Sequence, residues 1–143
     1  MELLIVISII MVLAGVGTAF YLDYAKNIEL RTATSILISD LKQSQARSMS
    51  GVENRKWGLH IVNGDSDYYE IFSSPTDYSD SAKNITLTRF IAKGVSFFDP
   101  SVASSKDIIF NKITGSTIEN SVTLGSSNIT KVINISSIGT ITN

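Results

Sequence analysis

The first 22 residues form an apolar block that follows a single acid. From Leu3 to Leu22 the chain has no formal charge, and Glu2 stands directly before this block. At about 1.5 Å per residue, a helix of this length covers roughly the 30 Å hydrocarbon core of a bilayer. The block therefore predicts a membrane-spanning helix. Its polar interruptions are Ser8, Thr18 and Tyr21.

The next stretch, residues 23–51, keeps the helical period but becomes amphipathic. Small and apolar residues recur there at intervals of three and four, the pattern of a helix with one packed side. These residues are Ala33, Ile36, Leu37, Leu41, Ser44 and Ser48. Gly51 supplies a stop signal. With no Pro before Pro75 to break it, the two halves predict one helix of about 48 residues, on the order of 70 Å long.

From Lys56 onward the hydrophobic period is two, which is typical of β-strands. Apolar residues alternate from Trp57 to Val62, and Asn63–Asp67 predicts a turn into Tyr68–Phe72. This pattern indicates a β-hairpin. A surface loop is expected between Ser73 and Asn84. Further strands are predicted around Ile85–Ile91, Val95–Phe97, Ile108–Phe110, Ile118–Leu124 and Ile129–Ile135, with turns at Lys93-Gly94, Asp99-Pro100, Thr114-Gly115 and Gly125–Asn128.

These elements predict an α+β fold. A long N-terminal helix would pack on an antiparallel β-sheet or a two-sheet sandwich of six to eight strands. Residues 1–22 are the membrane or fibre-core half of the helix, residues 23–51 are the amphipathic half, and residues 52–143 are a globular β-rich domain. A chain of 143 residues has room for one such domain with a modest core.

Composition narrows the classes of function. The net charge is −1, from 12 basic and 13 acidic residues, so no broad positive surface is expected for a polyanion such as nucleic acid. Cysteine is absent, which excludes disulfides, zinc-thiolate sites and thiol catalysis. A cleavable signal peptide remains an alternative, because Gly17-Thr18-Ala19 offers small residues at suitable spacing. The acidic start and the length of the apolar block favour a retained anchor.

The sequence predicts no catalytic residue, metal site or cofactor. Asp65 and Asp67 lack the later acid of a calcium loop, so they indicate a hairpin turn. Ser39 and Lys42 have the S-x-x-K spacing of serine acyl enzymes but no companion motif. His60 has no evident Ser, Cys or metal-binding partner and is assigned to the sheet surface. Three sequons, at Asn84, Asn128 and Asn134, are expected by chance in a chain rich in Asn, Ser and Thr.

Several segments carry a resemblance to a known family. The segment Glu2–Ile10, followed by the small residues Ala14–Gly17, resembles the N-terminus of type IV pilins and type II secretion pseudopilins. Asp40–Ser48, the following Trp57-Gly58-Leu59 and the closing Ile133–Ile141 resemble the H-type minor pseudopilins, the GspH/FimT family. The chain is therefore similar to a pilin-like protein along nearly its whole length.

The resemblance implies a subunit of the inner membrane. Its single helix would cross the bilayer, its β-domain would lie in the periplasm or outside the cell, and an inner-membrane assembly platform would add it to a helical fibre of other pilin or pseudopilin subunits. Glu2 would meet the N-terminal amine of a neighbouring subunit and fix the axial register. The fibre core would contain Leu3, Leu4, Ile7, Ile10 and Leu13.

The chain also departs from the family pattern. Family precursors carry a basic leader that ends in glycine and a few apolar residues before the glutamate, whereas here Met1 precedes Glu2. Either the sequence is truncated and the leader lies upstream, or the chain cannot be processed and N-methylated as the family is; we expect truncation. Gly15 and Gly17 either soften the helix or allow close helix packing.

Other functions remain open at this stage. We expect a minor subunit, with a major pilin as an alternative, and the sequence does not choose among secretion, pilus formation and DNA uptake. Some FimT-type proteins capture DNA with a basic C-terminal patch, but here only Lys112 and Lys131 are available, so we do not expect nucleic acid as a partner. An anchored enzyme would need a catalytic arrangement that the sequence does not offer.

Overall fold

The computed structural model describes residues 2–127 and 129–143, without the side chains of residue 2 and residues 13–20. The chain begins with a long helix, α1, and continues through a short 3-10 turn at Val52–Asn54 into strands. This arrangement confirms an α+β fold with antiparallel sheets. The elements are α1 (Glu2–Met49), β1 (Lys56–Asn63), β2 (Tyr68–Ser74), β3 (Asn84–Phe90), β4 (Ser96–Asp99), β5 (Ser104–Phe110), β6 (Asn120–Ser126), β7 (Ile129–Ile135) and β8 (Ile141–Thr142).

The strands form two antiparallel four-stranded sheets. The first has the order β3-β2-β1-β5 and the second has the order β4-β6-β7-β8. The predicted hairpin is confirmed, since Leu59 pairs with Ile71 and Val62 with Tyr68. In the first sheet β3 is an edge strand, and all seven of its residues are exposed. The strand was predicted, but its exposure was not.

The second half of α1 packs on both sheets. Its buried stripe advances by alternating steps of four and three residues, which keeps one face toward the sheets. The stripe consists of Leu30, Thr34, Leu37, Leu41, Ser44 and Ser48. The prediction that Ile36 belongs to it was wrong, because Ile36 lies beside the stripe and is 37% exposed. The helix ends at Met49, and Gly51 adopts a left-handed conformation with φ of 65°, which confirms the predicted stop.

The core lies between α1 and the two sheets. Trp57 is only 3% exposed, and β1, β5, β6 and β7 each supply two further buried apolar side chains, with the others coming from α1, β2 and the region of β4. A single contiguous cluster joins the helix to both sheets. Its fully buried members from the sheets include Leu59, Ile61, Ile108, Phe110, Val122, Leu124, Ile133 and Ile135.

Two predictions about the second sheet were wrong. Ile118 was assigned to the strand of Val122 and Leu124, but β6 begins at Asn120 and Ile118 is 84% exposed. Gly125 was assigned to a turn, but it lies in β6. A Cβ at this position would be 2.6 Å from Cε2 of Phe98. Glycine is therefore needed here for close packing under an aromatic ring. The sequence alone does not distinguish such a glycine from one in a turn.

Candidate assembly surface

The first half of α1 exposes its apolar side chains. The predicted fibre-core residues Leu3, Leu4, Ile7 and Ile10 are between 41% and 71% exposed. The side chains of Leu13 and Glu2 and the surroundings of Gly15 and Gly17 lie outside what the structure describes. Across the described residues, no helix combines the length and apolar character needed to cross a membrane.

Polar contacts fix the far end of α1 to the β-domain. The Gln45 amide Nε2 donates to the backbone oxygens of Gly115 at 3.1 Å and Gly139 at 2.9 Å. The Ser48 hydroxyl donates to the Phe110 oxygen at 2.7 Å. These bonds join the helix to three segments that are distant in sequence. The helix and the β-domain are therefore connected by directional contacts as well as by apolar packing.

A buried carboxylate fixes the helix to the first sheet. Asp40 accepts a hydrogen bond from the Tyr69 hydroxyl at 2.6 Å and pairs with Arg89 Nε at 3.2 Å. Burial and, secondarily, the hydrogen bond to Asp40 raise the pKa of Tyr69 far above its usual value. The phenol therefore remains a donor at physiological pH. Sequence patterns do not reveal this cluster, because Arg89 is 49 residues from Asp40.

An apolar groove lies between α1 and β3. Its volume is about 310 Å³, and it lies beside the exposed edge strand. Its polar lining includes Arg89, Tyr69 and Glu29. Ile36, which lies outside the buried stripe of α1, contributes an apolar side chain to the lining of the groove. The remaining lining residues are Ile28, Thr32, Ala33, Phe90, Ile91 and Ala92. We call this feature the β3 groove.

A second cluster covers the outer face of the first sheet. The sequence did not predict the neighbours of His60: its Nδ1 contacts Asp107 Oδ1, and its ring stacks on Tyr78 with centroids 3.6 Å apart. The Tyr78 hydroxyl donates to Glu70 at 2.6 Å. Burial, followed by this bond, raises the pKa of Tyr78 well above its usual value. The loop between β2 and β3 is thus held against the sheet.

The described side chains do not form a cluster of metal ligands. Within them, no group of three or more His, Cys, Asp or Glu residues is placed to hold a metal ion. Asp67 accepts the backbone N–H of Gly64 at 3.1 Å and that of Phe97 at 2.8 Å, which confirms its structural role at the hairpin turn. Ser39 and Lys42 are exposed on the helix. Lys112 donates to Asn54 at 3.2 Å.

No protein-family model, curated protein or solved structure matches this chain significantly. The case for its function therefore comes from the residues and geometry described above. The feature that distinguishes the molecule is a helix that is packed at one end and apolar and exposed at the other.

Proposed function

We propose that this chain is a structural subunit of a pilin-like fibre, either a type IV pilus or a type II secretion pseudopilus. One observation carries the proposal. The exposed apolar side chains of residues 3–12 belong to the same helix whose later residues form part of the core. Exposed apolar surface of this extent favours burial against lipid or other apolar helices.

The apolar half of α1 would be buried first in lipid and then among other helices. Before assembly, the apolar half of α1 would lie in the inner membrane, and after assembly it would pack among the same halves of neighbouring subunits. The membrane part of this proposal rests on the uncharged sequence from Leu3 to Leu22. The resemblance to H-type minor pseudopilins supports an extracytoplasmic β-domain and assembly by an inner-membrane platform.

Glu2 would determine the axial position of each subunit. An unpaired carboxylate within a poorly hydrated helix bundle is unfavourable, whereas a pair with a neighbour's N-terminal amine forms at only one stagger of the helices. The ion pair would therefore select one register. The residues proposed to pack around it are Leu3, Leu4, Ile7, Ile10 and Leu13.

Substitution of Glu2 tests this role. In host cells, Glu2→Ala should reduce the amount of the chain in sheared fibres while its amount in membranes is maintained. The melting temperature of the detergent-solubilised full chain should not change, because the core residues of α1 begin at Leu30.

Asp23→Ala is the matched control. Asp23 is an exposed carboxylate on the same helix, and its replacement should leave the fibre content at the wild-type level. Equal incorporation of Glu2→Ala and Asp23→Ala would contradict the register argument. Absence of the wild-type chain from every fibre fraction would contradict the proposed function itself.

A further inference from the structure

Two exposed apolar features lie at opposite ends of the packed part of α1. The β3 groove adjoins helix residues 28–36. Ile118 lies in a segment whose Gly115 is bonded to Gln45, near the end of the helix. Ile118 is the most exposed of the large hydrophobic side chains in the described part of the chain. Neither feature is used within the subunit, and their positions along α1 differ by about 13 helix residues, or roughly 20 Å.

The segment around Ile118 is held in a fixed conformation. It belongs to no helix or strand, but the Thr117 N–H donates to the Ser137 oxygen at 3.1 Å and the Asn111 N–H donates to the Ser116 oxygen at 2.8 Å. Gly115 begins the segment with a positive φ of 65°. Since the backbone is already ordered, contact through Ile118 would require little further loss of conformational entropy.

Charged residues adjoin both features. The β3 groove is lined by one cation, Arg89, and one carboxylate, Glu29, and Glu119 is the only charged residue in the segment 115–119. The Arg89 side chain is 42% exposed, and its hydrogen bonds and ion pairs with the described residues involve Nε alone. Its terminal nitrogens are therefore suited to a second carboxylate beside the groove.

We propose that Ile118 of one copy of this chain docks in the β3 groove of the next copy, where Glu119 pairs with Arg89. At about 310 Å³, the groove is near the lower limit for small-molecule pockets, a size that suits a few side chains. The two surfaces differ, so the contact is heterologous and repeats from copy to copy without closing. This inference rests on the proposed function, and it requires that two copies be adjacent in the fibre.

Cysteine cross-linking tests the contact directly, because the chain has no native cysteine. Thr32, an exposed residue that lines the groove, is replaced in one variant by Thr32→Cys, and the other variant is Ile118→Cys. Both full-length chains are co-expressed in host cells, fibres are isolated, and disulfide-linked dimers are measured after mild oxidation. We expect dimers in the mixture and at least five-fold fewer with either variant alone.

Val102→Cys provides the matched control for Ile118→Cys. Val102 is 80% exposed and also β-branched, but it lies between β4 and β5, away from the segment around Ile118. With Thr32→Cys it should give at least five-fold fewer dimers. Equal yields for the two pairs would overturn the proposed contact. Fibres that contain the chain but no selective cross-link would overturn this inference alone, whereas absence of the chain from fibres would overturn the proposed function as well.

Charge reversal separates the ion pair from the apolar contact. Glu119→Arg changes an exposed residue, so its folding should be normal, and it should lower the Thr32–Ile118 cross-link yield about two- to five-fold, as expected for an exposed ion pair. An unchanged yield in Glu119→Arg would remove Glu119 from the contact.

Discussion

The two halves of α1 share one helical backbone but differ in what covers them. In the second half, a stripe from Leu30 to Ser48 is buried against both sheets. In the first half, the described residues 3–12 expose their side chains all round. The second half combines its apolar stripe with polar side chains that bond to the sheets and loops. Stability of the domain is therefore expected to depend on one half and assembly on the other.

The largest difference between the halves should come from aromatic residues. Trp57 on β1 lies 4.7 Å from the Arg47 guanidinium of the packed half and is buried. Trp57→Ala should lower the free energy of unfolding by about 3 to 5 kcal/mol, the usual range for large core residues. The measurement is denaturant unfolding of the full chain in detergent.

Tyr21→Ala is the control for this change. Tyr21 is an exposed aromatic residue of the first half, so its replacement should alter the free energy of unfolding by less than about 0.5 kcal/mol. Similar losses in Trp57→Ala and Tyr21→Ala would show that the halves do not differ in the way proposed.

Leucine substitutions compare the halves within the helix itself. Leu37 is fully buried and Leu4 is exposed. Leu37→Ala should cost about 2 to 5 kcal/mol through lost burial and cavity formation, whereas Leu4→Ala should leave the melting temperature unchanged. Calorimetry of both full-length variants under the same conditions provides the comparison. A matching decrease in Leu4→Ala would indicate that the first half also supports the fold.

The smallest effect concerns the hydrogen bond that joins the packed half to β2. Tyr69→Phe removes the donor to Asp40 and should cost about 1.5 to 3 kcal/mol at neutral pH, as expected for a hydrogen bond to a charged group. Because the folded-state pKa of Tyr69 is raised, its contribution is complete below about pH 10. It is lost as pH rises above that value, where the unfolded chain releases the proton.

The dependence of the free energy of unfolding on pH, measured above about pH 10, tests this expectation. Wild-type stability should fall with pH more steeply than that of Tyr69→Phe, by up to about 1.4 kcal/mol per pH unit for one proton. Tyr24→Phe, a change at an exposed tyrosine of the same helix, should follow the wild-type curve. Parallel alkaline slopes for wild type and Tyr69→Phe would contradict the assignment.

Local patterns predicted the parts of the fold that depend on local periodicity. The helix, its stop at Gly51 and the hairpin of β1 and β2 follow from spacing and turn residues that lie close together in sequence. The division into two sheets and the edge position of β3 depend on pairing between distant strands. A single sequence carries no direct signal for such pairing.

The candidate surface was predicted only in part for the same reason. The apolar half was evident as an uncharged run, but the β3 groove requires Ile36 and Arg89 to meet across the helix and sheet. His60 and Asp107 likewise meet because β1 pairs with β5. Ile118 was assigned to a strand because it has the even spacing of Val122 and Leu124, although β6 begins only at Asn120. Hydrophobic periodicity predicts which face of a helix or strand is apolar, but it does not identify the element that packs on that face.

Gln45 connects the end of the helix to the last part of the chain. Its amide holds the Gly139 carbonyl, and a side chain at Gly139 would collide with this amide. Gly139 immediately precedes the two residues that lead into and begin β8. Mechanical tension applied along the helix would therefore reach the C-terminal strand partly through this amide group, in parallel with the apolar packing of the helix on both sheets.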